Sequence, residues 1–125
     1  MPKTEREHRQ DIVDIGRYVW QKEWVAANDG NITTRIDEER ILCTPTGVCK
    51  GLMHPDDLII VDRKGNHIQG RLKGTSEIAM HLAIYDLRPD VRAILHAHPP
   101  VATGFATALT SLQRVSTCAG RRAVP

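Results

Sequence analysis

The chain has 125 residues, 41% of them apolar and 26% charged, and its formal charge is +2 with six histidines counted neutral. That length suits one domain able to bury roughly two-thirds of its unfolded surface, and the composition excludes a disordered chain. The small net charge and an aromatic content of 4% exclude a cationic, base-stacking nucleic-acid binder.

The opening MPKTEREHRQ is charged and has no apolar core of a secretory signal. No run along the chain reaches the roughly 18–20 apolar residues that cross a bilayer, so a cytoplasmic protein without membrane contact is expected. Thr4 and Glu7 have the spacing of a capping box, and Ile12, Ile15, Gly16, Val19 and Trp20 recur at helical intervals. The pattern predicts an amphipathic helix from Thr4 to Ala27, closed by Asn28-Asp29-Gly30-Asn31, residues that tolerate left-handed backbone.

Ile32–Ile36 and Arg40–Thr44 flank the acidic turn Asp37-Glu38-Glu39 and are expected to pair as a hairpin, which Pro45-Thr46-Gly47 interrupts. Leu58–Asp62 is a short apolar strand, turned by Lys64-Gly65-Asn66 toward His67-Ile68. Gly74-Thr75-Ser76-Glu77 opens a second helix running to about Leu87, with Thr75 or Ser76 as its cap and Ile78, His81, Leu82 and Tyr85 on one face. Val91–His98 reads as a strand stopped by Pro99-Pro100, and Val101 to about Ala108 as a further helix. The order predicts a single α/β domain, a mainly antiparallel central sheet with helices packed on it. Cys43, Cys49 and Cys118 form no CxxC pair, so reduced structural thiols are expected.

His96 and His98 stand two apart on the predicted strand, where alternate side chains share a face, so both imidazoles could reach one metal ion. The same spacing also suits two histidines hydrogen-bonded in a half-buried sheet. Glu77 at a helix start is favoured by the helix dipole alone, yet a carboxylate near a metal could move a proton beside a polarised carbonyl. Gly30-Asn31, Thr46-Gly47 and Thr75-Ser76 each combine a hydroxyl or amide with glycine or a helix start. They fit either an anion cradle or ordinary turns.

Read in order, Gly30–Arg35, Thr44-Pro45-Thr46-Gly47, Gly74–Glu77, His81–Tyr85 and Ile94–Pro100 resemble the class II aldolase/adducin family from about residue 8 to about 108. The resemblance implies that His96 and His98 bind a divalent metal, usually Zn2+, with Glu77 as catalytic acid/base. It implies that Gly30, Asn31, Thr46, Gly47, Thr75 and Ser76 hold a substrate phosphate. The implied activity is that of a lyase of carbohydrate metabolism, cleaving a ketose 1-phosphate such as fuculose 1-phosphate into dihydroxyacetone phosphate and an aldehyde. A homotetramer is implied as well. A sugar-phosphate 4-epimerase or dehydratase relative and a non-catalytic adducin-like interaction domain are the alternatives, with Glu77 leaning toward the aldolase.

The family's third metal histidine has no counterpart, since no histidine follows His98. Residues 1–109 are therefore expected to form an incomplete family domain and 110–125 an atypical tail, as a truncated or frameshifted gene would give. His81, four residues after Glu77, is expected to hydrogen-bond against the sheet, and His54 to lie in a surface loop.

Overall fold

The computed structural model describes residues 2–108; the tail expected over 110–125, with Cys118, lies outside them. Helix α1 spans Glu5–Gln21 and opens with the anticipated capping box, in which the Thr4 hydroxyl accepts from the Glu7 amide and the Glu7 carboxylate accepts from the Thr4 amide. It ends well before Ala27. Glu23 takes a left-handed conformation (φ 60°), and the amides of Glu23 and Trp24 bond back to Trp20 and Val19, closing a Schellman motif that stops the helix.

Strands β1 (Asn31–Arg35) and β2 (Arg40–Cys43) form the expected hairpin, with Thr34 opposite Leu42. Asp37 fixes the turn by accepting from the amides of Glu39 and Arg40 and from the Arg40 guanidinium. Strand β3 (Ile59–Asp62) pairs with β2 and turns into β4 (His67–Gln69), where Asp62 collects the amides of Lys64 and Asn66. Strand β5 (Ala93–His96) crosses to the far edge and pairs with β1, giving an antiparallel sheet of order β4-β3-β2-β1-β5.

The strand alternation sorts the core into two layers. Ile32, Leu42 and Ile60 face α1 with Ile12, Val13, Met53 and Leu58. Ile41, Cys43, Ile59 and Val61 face the other way, against Tyr85 and the partly buried Ile78 and Leu82 of helix α2 (Ile78–Leu87). Helix α3 spans Pro100–Ala108. The expected α/β domain is therefore a sheet with a helix on each face. Among the described residues no helix is long and apolar enough to cross a membrane.

Two further details differ from expectation. Helix α2 is capped by Glu77, without a side-chain cap bond, and not by Thr75 or Ser76. The Thr75 hydroxyl instead accepts from the Glu77 amide two residues on, a local turn that competes with capping. Strand β5 also stops at His96, so His98 lies beyond the sheet and not on it.

Candidate active site

The site forms where the ends of β1 and β5 meet the start of α2. Asn31 lies opposite His96 in the sheet register. Gly30 precedes it at φ +76°, and a Cβ there would approach the His96 carbonyl oxygen to 2.8 Å, so only glycine lets this loop lie against β5. The His98 amide leaves the sheet to donate to the Trp24 carbonyl at 2.7 Å, which pins the turn after α1 to the end of β5. The imidazoles of His96 and His98 remain neighbours, with ring centroids 4.7 Å apart. The strand pairing ends at His96, and the His98 backbone is held by its bond to Trp24.

From its capping position Glu77 places Oε2 2.7 Å from Nδ1 of His96. That nitrogen is buried yet has no partner in hydrogen-bond geometry, so the close approach to the carboxylate is short without being a proper hydrogen bond. Two Lewis bases crowded in this way could become neighbouring ligands of one cation by parting by less than about 1 Å, since bonds of about 2.1 Å that meet tetrahedrally place ligand atoms about 3.4 Å apart. The donor chemistry of His96, His98 and Glu77 therefore fits a divalent metal. It is a partial shell: no cluster of three or more His, Cys, Asp or Glu able to hold a metal occurs among the described residues.

Beside these groups lies a cleft of about 220 Å³ whose lining is largely polar. Its walls include Gly30, Asn31, Thr46, Thr75, Ser76 and Glu77, which joins five of the six expected phosphate positions to the expected acid/base. His98 also borders it. Gly47 is not among its lining residues; its φ of +74° serves the turn, as the plainer reading of that stretch had it. The loops are held together by a bridge between Pro45 and Gly74 and by the Thr46 amide donating to the Lys73 carbonyl at 2.9 Å.

Beneath the cleft runs a buried polar chain. Tyr85 Oη and His81 Nδ1 each lie 2.8 Å from the Thr33 hydroxyl, and His81 Nε2 contacts Oδ1 of Asn31. Burial pulls the His81 pKa down to about 4, with the nearby His96 adding to the effect, so the ring is neutral. A neutral ring that donates from Nε2 and accepts at Nδ1 turns the Asn31 carboxamide so that its nitrogen, a donor, is free for the cleft. Burial also raises the Tyr85 hydroxyl to about 12, which keeps it protonated as the far donor of the chain.

His81 thus packs against the sheet as expected, while its bearing on Asn31 was not visible from spacing. His54 is exposed and caps a short 3₁₀ turn, and His67 bonds to the Gly70 carbonyl. Lys50 and Asp29, which also line the cleft, were missed altogether. Loop residues of these types are normally solvated, and no periodicity marks them.

Residues 10–124 match the family model described as Class II Aldolase and Adducin N-terminal domain. The methylthioribulose-1-phosphate dehydratase of Hahella chejuensis is 35% identical over 100 residues, covering 80% of this chain and 48% of its own length. Among solved structures, YgbL of Klebsiella pneumoniae superposes with a TM-score of 0.80 at 29% identity, covering 86% of this chain and 52% of that one. The L-fuculose 1-phosphate aldolase of Glaciozyma antarctica gives a TM-score of 0.75 at 26% identity, with coverages of 86% and 49%. The chain spans about half the length of the curated relatives it matches. On this match the chain belongs to the class II aldolase and adducin N-terminal domain family.

Proposed function

We propose that this chain carries the phosphate-binding and proton-transfer half of a sugar-phosphate lyase that removes water from a ketose 1-phosphate of the methylthioribulose 1-phosphate type. The observation that carries the reading is Glu77 Oε2 lying 2.7 Å from the buried Nδ1 of His96, at the rim of a cleft walled by Asn31, Thr46, Thr75 and Ser76. The name of the dehydratase relative favours elimination of water over the fuculose 1-phosphate cleavage first expected.

In this reading the hydroxyls of Thr46, Thr75 and Ser76 and the Asn31 amide seat the phosphate and so orient the sugar. His96 and His98 would hold a divalent ion such as Zn2+, which when bound polarises the substrate's ketone and hydroxyl oxygens. Glu77 takes the proton from the carbon beside the ketone. The electron pair left on that carbon forms the new double bond and expels the hydroxyl on the next carbon. Glu77 then returns its proton to that hydroxyl, which leaves as water, so the carboxylate ends as it began. Self-association, as the family resemblance implies, is part of the proposal.

The test supplies the full chain with Zn2+ and, in separate reactions, methylthioribulose 1-phosphate or fuculose 1-phosphate, and follows products by mass. Loss of one water from the first substrate, falling about 100-fold or more in Glu77→Gln, is expected. Dihydroxyacetone phosphate released from the second substrate, with no water lost from the first, would reinstate the aldolase. No turnover of either, with tight binding to another protein, would favour an adducin-like role.

A further inference from the structure

Lys50 is 2% exposed, the most deeply buried lysine or arginine among the described residues. Lysines are almost never this deeply buried without a carboxylate partner. Here Nζ donates to two main-chain carbonyls, that of Val48 at 2.8 Å and that of Asn28 at 3.2 Å. Asp29 acts on it only through space, and burial lowers its pKa. An ammonium carries three donors, so two carbonyls leave it incompletely satisfied.

The two carbonyls belong to two separate loops that reach the cleft. Asn28 leads into Gly30-Asn31, and Val48 follows Thr46-Gly47. Lys50 lines the same cleft, where it is the single lysine or arginine among the described residues, whereas Asp29 and Glu77 contribute carboxylates. Without Lys50 the lysine, arginine and carboxylate charges that the described residues place around a bound phosphate would all be negative. Hydroxyl and amide donors alone would then face a dianion across a repulsive field.

We propose that Lys50 makes this cleft an anion site, both by tying its two loops together and by supplying its fixed positive charge. The inference rests on reading the cleft as the phosphate seat of the proposed lyase, and it assigns selectivity for a phosphate dianion to a residue outside the motifs that mark that seat.

The test titrates inorganic phosphate into the full metal-free chain by calorimetry, comparing wild type with Lys50→Met and Lys50→Arg. Lys50→Met keeps the side-chain size and removes the cost of burying a charge, but it leaves the Val48 and Asn28 carbonyls without this donor, so circular dichroism checks the fold of each variant. A rise of at least tenfold in the phosphate Kd for Lys50→Met, with circular dichroism unchanged and partial recovery in Lys50→Arg, is expected. If neither variant folds, lysine-labelled NMR of the wild type takes their place, and the Lys50 side-chain resonance must move as phosphate is added. Wild-type affinity in Lys50→Met, an unmoved Lys50 resonance, or no phosphate binding by the wild type overturns the proposal. Absent turnover with Lys50-dependent phosphate binding would count against the dehydratase alone. Phosphate binding indifferent to Lys50 in an active enzyme would count against the lysine alone.

Discussion

Acidification should unfold this protein through His81. The ring is fully buried, and its pKa falls from 6.5 to about 4 because the interior disfavours the charged form. As pH drops below 6.5 the unfolded chain takes up the proton and the folded chain does not, so stability falls. Below about 4 both forms bind it and the contribution levels off. At about 1.4 kcal/mol for each tenfold change in proton affinity, the full effect is about 3 kcal/mol, a large part of the typical stability of a small domain. Urea unfolding followed by circular dichroism at pH 7, 6, 5 and 4.5 in the presence of a chelator measures it. His81→Gln removes the titrating group but leaves the exposed carboxylates common to both proteins, so the difference in slope isolates the histidine. Whatever the substitution costs at pH 7, the variant should lose less stability on acidification, approaching the full difference at the lowest pH. Parallel wild-type and variant curves over the whole range would refute the buried neutral ring, and with it the assigned orientation of Asn31.

Further outcomes follow from packing and backbone geometry. Gly16→Ala should destabilise although alanine is the better helix former: a Cβ there would stand 2.6 Å from the Lys50 carbonyl oxygen. Overpacking of about 1–3 kcal/mol outweighs the roughly 1 kcal/mol of propensity, and a raised Tm would show that the loop yields. Glu23→Gly should stabilise by about 1 kcal/mol, because the left-handed position (φ 60°) that ends α1 penalises any side chain; an unchanged urea midpoint would contradict this. In a Cys118→Ser background, Cys49 should react first with a thiol reagent. Cys43, buried and raised to about 12, should stay silent until the chain unfolds. Rapid labelling of both in the native protein would contradict that order.

The elements that a period or a turn residue defines were legible in the sequence. The capping box of α1, the hairpin closed by Asp37, the Asp62 turn and the buried face of α2 all follow from local chemistry. The end of α1 was not, because a glutamate occupies the left-handed position where glycine is the usual signal. The proximity of His96 and His98 was expected from their spacing, but the bond that holds the His98 backbone to Trp24, beyond the end of the strand, was not visible in the sequence. The convergence of Gly30, Asn31, Thr46, Thr75 and Ser76 on one cleft came from the family resemblance, each stretch alone reading better as a turn. Lys50 was invisible because burial of a loop lysine depends on the long-range packing of α1 over its carbonyl.

The pairing of Asn31 with His96 joins the second element of the chain to one close to the end of the described residues. Such a contact closes a long loop and is entropically slow to form, whereas the β1–β4 meander needs only short excursions. Folding should therefore deliver a stable meander first and its chemistry last. Because β5 is one of the two edge strands, it should also detach before the central strands. Amides of β5 should then exchange with solvent faster than those of β2 and β3, and each opening would scatter the groups of the candidate site while most of the sheet stays intact.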